Sequence, residues 1–202
     1  MRRRRIIFLV VVAMLAMQRS AGAHLVTTGL GPVYDGIGHF SISPDDSLPV
    51  VALAILAGLR GKPASRAVMF QLPLAWFCGG VAGLLTTMHV FDPSRLVSFM
   101  VLGILIAADL PLPDLAVMAI GVAMGFLHGF LDGAGFQAAG LGKGMLEFLG
   151  IAAILFVLTP LVSALVVSIR IAWVRIAMRV AGSWIAAIGL LMLGWTLKVG
   201  HY

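Results

Sequence analysis

Charged residues are scarce in this chain of 202 residues: only 11% are Asp, Glu, Lys or Arg, against about a quarter in ordinary soluble domains. So few charges cannot coat a soluble domain of this size. A soluble enzyme, a disordered tail and a nucleic-acid module are therefore excluded as the bulk of the chain. Cysteine is almost absent. The lone Cys78 lies in an apolar run, where no internal disulfide is possible and a small buried residue is expected. Catalytic signatures are missing too: there is no Gly-x-Ser-x-Gly, Walker loop, Cys-x-x-Cys or His-Glu-x-x-His. Enzymatic hydrolysis, ATP-driven pumping and an organic cofactor have no residues to rest on. What is abundant is apolar: 61% of residues are hydrophobic and the mean hydropathy is +1.08. The expected fold is all-α, one polytopic helical bundle in a lipid bilayer.

The formal charge of +6 is concentrated at one end, where Arg2, Arg3, Arg4, Arg5 and Arg19 lie. Four of them precede the apolar stretch Ile6–Met17, which is too short to span a bilayer, and Ala21-Gly22-Ala23 fits a small-x-small cleavage pattern. Residues 1–23 therefore read as a cleavable signal peptide, with an uncleaved anchor helix as the alternative. The rest, 24–202, reads as a single membrane domain. Cleavage would leave His24 at the new N-terminus, where an α-amine beside an imidazole can chelate a transition metal.

After a Gly-rich lead-in with one short helix near Pro32–Phe40, six apolar segments follow, at about 44–60, 67–88, 93–110, 113–131, 145–169 and 180–197. The first is short for a bilayer core. Broken helices of that kind often line transport sites. Arg60, Lys62, Arg66, Arg170, Arg175 and Arg179 fall in loops on one side, and Arg95, Lys143 and Lys198 on the other. The positive-inside bias puts the mature N-terminus outside, in agreement with the signal peptide. Residues 170–179 mix Arg with Ile, Trp and Met and read as a segment lying at the inner interface.

Ionisable groups at membrane depth are costly, and each is a site candidate. This topology gathers His39, Asp45, Asp46, His128, Asp132 and Glu147 at the outer mouth. His128 and Asp132, four residues apart, share a helix face and could hold one divalent ion. Gly121, Gly125, Gly129 and Gly133 recur every fourth residue on the same helix and would let a neighbour approach closely. Each candidate has a plainer alternative. Ser43, Pro44 and Asp46 suit a capped helix start. Glu147 could be a ligand, a proton carrier or only a first-turn acid. Asp109 and Asp114, flanking Leu-Pro-Leu-Pro, could form an inner station or simply end and begin helices. Asp92 and His89 read as loop residues.

At these residues the chain resembles the HupE/UreJ family of hydrogenase and urease accessory permeases, associated with nickel uptake. The resemblance rests on the signal ending in Ala before a His, on His39 followed after five residues by Asp45, on Phe126 before His128-Gly129, and on a size that fits six helices. Two motif positions depart from the pattern. Asp46 stands where the first motif has His, and Asp132 where the second has its second His; Gly135 replaces a Glu. Two imidazoles thus become carboxylates, which keeps the ligand count but favours harder ions such as Mn, Mg or Fe(II).

The resemblance implies a secondary permease of a bacterial cytoplasmic (inner) membrane. It would carry a divalent metal ion, nickel or cobalt in the first instance, held between the 44–60 and 113–131 helices at the extracytoplasmic side. The alternative is a non-transporting accessory or scaffold protein for metalloenzyme maturation. The metal is cargo rather than cofactor. Partners would be the bilayer, the ion, a second copy or maturation proteins, and not nucleic acid. The expected metal residues are His39, Asp45, Asp46, His128, Asp132, Glu147 and His24.

Overall fold

The computed structural model describes residues 27–86, 93–169 and 171–199. The expected signal peptide, and His24, His89, Asp92 and Arg170, lie outside them. The described residues are helical throughout their regular structure: α1 (Pro32–Ile42), α2 (Pro44–Arg60), α3 (Lys62–Leu84), α4 (Pro93–Ala108), α5 (Asp114–Phe136), a short 3-10 turn (Gln137–Ala139), α6 (Leu141–Ser168) and α7 (Ala172–Val199).

Local chemistry sets the breaks. Pro44 drives the preceding Ser43 into an extended conformation (φ −93°, ψ 96°), and α1 and α2 meet at a bend of 77°. Gly61, at φ 113°, makes a turn that a side chain would strain, with Pro63 in the first turn of α3. Asp109, at φ 49°, turns the chain out of α4, a conformation that Asp tolerates better than most residues. Pro73 and Pro160 lie inside α3 and α6, and both helices continue through them.

Four helical stretches are long and apolar enough to cross a membrane: Lys62–Leu84, Asp114–Ala139, Leu141–Ser168 and Trp173–Lys198. The bent α1–α2 pair makes a fifth if it counts as one span. The stretch Ser94–Ala108 is apolar but shorter, about 22 Å long at the helical rise. Most of the segment at 170–179 forms the opening turns of α7, which runs unbroken from Ala172. The apolar pattern there continues the helix. The outer surface carries large apolar side chains, including Leu74, Leu161, Trp184, Leu191 and Trp195. Such a surface needs lipid as its solvent, and the protein is a membrane protein. Cys78 is exposed on this bundle rather than buried as expected.

Two packing units emerge. α3 and α5 make the most extensive contact, and α6 lies against α1, α2 and α3. The glycine stripe of α5 explains the first pairing: a Cβ at Gly129 would collide with the Trp76 backbone, and one at Gly133 with the backbone at Gly80 and Gly83. α4 packs chiefly on α7 and joins the rest mainly through α2. Phe40, Leu53, Leu56, Trp76, Phe148, Ile151 and Leu155 fill the core between α1, α2, α3 and α6.

Candidate metal centre

The bend between α1 and α2 brings His39 and Asp46 to one end of the bundle. The last two turns of α5 supply His128 and Asp132 there. All four side chains are buried, with Asp46 1% and His128 0% exposed. Ser43 occupies the N-cap position of α2, but its side chain makes no capping hydrogen bond. The Asp46 carboxylate turns instead to other helices, facing His39 of α1, Arg95 of α4 and His128 of α5.

His39, Asp46 and Asp132 each offer a donor atom within 4.8 Å of the others. The His39 Nε2 lies 4.0 Å from Asp46 Oδ2 and 3.9 Å from Asp132 Oδ1. Donors sharing one transition-metal ion sit about 2.0–2.2 Å from it, so these atoms would draw in slightly around a cation. His39 Nδ1 and Asp46 Oδ2 are buried without a hydrogen-bond partner. An orphaned carboxylate oxygen facing an imidazole nitrogen is the arrangement a cation completes. The His39 ring is fixed by an edge contact with Phe136, centroids 4.8 Å apart.

His128 plays a different part. Its Nδ1 is 2.9 Å from Asp46 Oδ1 and its Nε2 is 2.8 Å from Ser98 Oγ on α4. Both ring nitrogens are engaged, so His128 orients Asp46. The indole of Trp76, brought against α5 by the glycine stripe, donates from Nε1 to Asp132 Oδ2 at 3.1 Å.

The residue that sequence reasoning missed is Arg95. Counted as a loop cation, it is instead in the first turn of α4 and reaches into the cluster. Its guanidinium donates to Asp46 Oδ1 at 2.5 Å and to Asp132 Oδ1 at 2.7 Å, and lies 3.8 Å from Asp45 Oδ2. The signal was available: one Arg opens an apolar helix while Asp46 and Asp132 lie on two other apolar helices. Two buried carboxylates thus face one guanidinium, with the His39 imidazole beside them.

Other candidates stand apart. Asp45 is at the rim, its side chain 38% exposed. Glu147 is buried on α6 beside Lys143, at 3.6 Å, and Lys143 is 4.0 Å from Asp35. Asp35 is held by the backbone N and hydroxyl of Thr28, at 2.6 and 2.7 Å. Glu147 is not part of the His39–Asp46–Asp132 group.

At the other end of α2, Arg60 donates to Asp109 Oδ1 at 2.8 Å, and Arg175 of α7 donates to Oδ2 at 2.5 Å. These hydrogen bonds, that from Arg175 first, hold the Asp109 carboxyl below the ordinary carboxylate range against the opposing effect of burial. Asp109 is thus committed to two guanidinium groups. Asp114 starts α5 in its first turn.

A family model described as HupE / UreJ protein matches residues 12–192. No curated protein and no solved structure matches the chain.

Proposed function

The chain belongs to the HupE/UreJ family, and we propose that it is a secondary membrane permease for a divalent transition-metal cation, carried inward through the His39–Asp46–Asp132 cluster. Family membership supports metal transport or accessory work rather than catalysis. The observation that carries the reading is the convergence of one imidazole and two carboxylates from α1, α2 and α5, with one of the facing oxygens, Asp46 Oδ2, buried and unpartnered. Buried carboxylates in excess of their counter-charge are costly unless a cation joins them. His39, Asp46 and Asp132 supply the donors, His128 and Trp76 hold the carboxylates in place, and Asp45 draws cations to the rim.

In this reading α4 is a sixth, short span, and the cluster faces the extracytoplasmic side, opposite the end that carries Arg60, Lys62, Arg66, Arg175 and Arg179. A membrane potential drives the ion. A divalent cation gains about 4.6 kcal/mol on moving inward across 100 mV. Nickel and cobalt are the first candidates. The two carboxylates extend the range toward manganese and Fe(II).

A second reading is favoured by one observation: Arg95 already bridges both carboxylates. A cluster closed by its own cation would suit a non-transporting membrane accessory protein that docks metalloenzyme maturation factors. Uptake of labelled nickel, challenged with cobalt, manganese, Fe(II) and zinc, separates the two. Cells expressing the permease accumulate label, and His128→Ala with Asp132→Ala abolishes it. Unchanged uptake in that double variant removes the site. No uptake by the wild type for any of these ions leaves the accessory reading.

A further inference from the structure

We propose that Arg95 is a tethered cation that holds the place of the transported ion, and that the ion loads by displacing its guanidinium from Asp46 and Asp132. The inference rests on the permease reading and adds to it a residue that sets affinity.

Three observations carry it. First, Arg95 donates to the same two carboxylates that would ligate the ion: to Asp132 Oδ1, which faces His39, and to Asp46 Oδ1, the partner of the orphaned Oδ2. Asp132 Oδ1 is also 3.9 Å from His39 Nε2. The guanidinium and a metal ion therefore cannot both hold that oxygen at full strength. Second, the charges do not allow simple coexistence. Asp46 and Asp132 contribute two negative charges. A divalent ion beside an undisplaced guanidinium would set two positive groups against each other across this buried pair, with only the rim residue Asp45 near enough to offset them. Third, Arg95 comes from another element than the other cluster residues. It sits in the first turn of α4, which packs chiefly on α7 and otherwise on α2, whereas His39, Asp46, His128 and Asp132 come from α1, α2 and α5. The α4–α7 pair touches the cluster through Arg95 and through Ser98, which bonds His128. It is tied to α2 at the far end by Arg60–Asp109. Withdrawal of Arg95 is thus coupled to a small movement of the α4–α7 pair about that far contact, the kind of rocking of one bundle against another by which transporters exchange access.

Such an internal competitor weakens binding uniformly and discriminates by charge. A monovalent ion gains too little from the carboxylates to displace a guanidinium with two charge-assisted hydrogen bonds, whereas a divalent ion gains about twice as much per contact. Removing Arg95 should therefore tighten divalent binding.

The test is equilibrium dialysis of labelled nickel, and separately cobalt, against the purified full chain in detergent, with thermal unfolding as a check on folding. Arg95→Gln is expected to bind at least roughly tenfold more tightly than wild type, the scale of removing one nearby like charge. Arg95→Lys, which keeps the charge but loses the fork that spans both carboxylates, should fall between the two. In an Asp46→Asn, Asp132→Asn background the Arg95→Gln effect should vanish. Wild type that binds metal while folded Arg95→Gln binds equally or more weakly overturns the displacement role and leaves the permease standing. If Arg95→Gln does not fold, Arg95→Lys decides: binding no tighter than wild type overturns the inference. Folded wild type and folded Arg95→Gln that both fail to bind either metal bring down this inference and the permease reading together.

Discussion

Gly129→Ala probes how the fold positions the site. The added Cβ would fall on the Trp76 carbonyl oxygen and lie 2.8 Å from its carbonyl carbon and 2.9 Å from its Cα. Ordinary carbon contacts are about 3.5–4.0 Å, so α3 and α5 must part by about 1 Å at this level. The indole hydrogen bond from Trp76 to Asp132, now 3.1 Å, would be stretched beyond useful range. Overpacking of this kind costs about 1–3 kcal/mol, and the loosened Asp132 should weaken metal binding as well. Gly135→Ala is the matched control on the same helix, because nothing lies within 4 Å of its added Cβ. There the gain in helix propensity, up to about 1 kcal/mol, acts alone. Thermal unfolding of the purified protein in detergent should show Gly129→Ala clearly less stable than wild type and Gly135→Ala equal or slightly more stable. Equal stability for the two variants would refute the reasoning that backbone contact at Gly129 sets the α3–α5 distance.

Trp76→Phe keeps a ring in the core but removes the donor to Asp132, so nickel binding should weaken while the helix content seen by circular dichroism stays unchanged; unaltered binding would show that the indole does not hold the carboxylate. Asp109→Asn should lower the unfolding temperature, because the partly buried Arg60 loses its charged partner, a change worth roughly 1–2 kcal/mol. The same carboxyl gives a pH signature. Its folded proton affinity is below the ordinary value of 3.8, so its stabilising contribution is complete above that value and is lost as the pH falls through the lower folded one. Unfolding temperatures of wild type and Asp109→Asn should therefore differ at neutral pH and converge as the pH falls through the lowered folded pKa; a constant difference would contradict the assignment.

Much of this molecule was legible in the chain because bilayers impose simple rules. Apolar runs marked the helices, Ser43-Pro44 marked a break, and the four-residue glycine repeat marked a close helix contact that Gly129 and Gly133 do make with α3. The convergence of His39, Asp46, His128 and Asp132 followed from polar residues having nowhere else to go at membrane depth. What periodicity could not supply was distance between helices. It gave no means of seeing that His128 would spend both nitrogens on Asp46 and Ser98, or that Glu147 would settle with Lys143. Arg95 was misjudged for a physical reason. Counting loop cations assumes that Arg side chains turn to water, whereas the buried carboxylates of Asp46 and Asp132 hold this one inward. Likewise the Arg-rich stretch at 170–179 resembles an interfacial segment only if the helix is assumed to begin after it. One of its arginines, Arg175, instead bonds Asp109 from the first turns of α7.

The most direct measurement is X-ray absorption at the cobalt edge of the loaded protein, which counts imidazole ligands. The cluster described requires scattering from a single imidazole, lost in His39→Ala and retained in His128→Gln, with oxygen donors making up the remainder. Two imidazoles, or a spectrum untouched by His39→Ala, would contradict a site built from His39, Asp46 and Asp132.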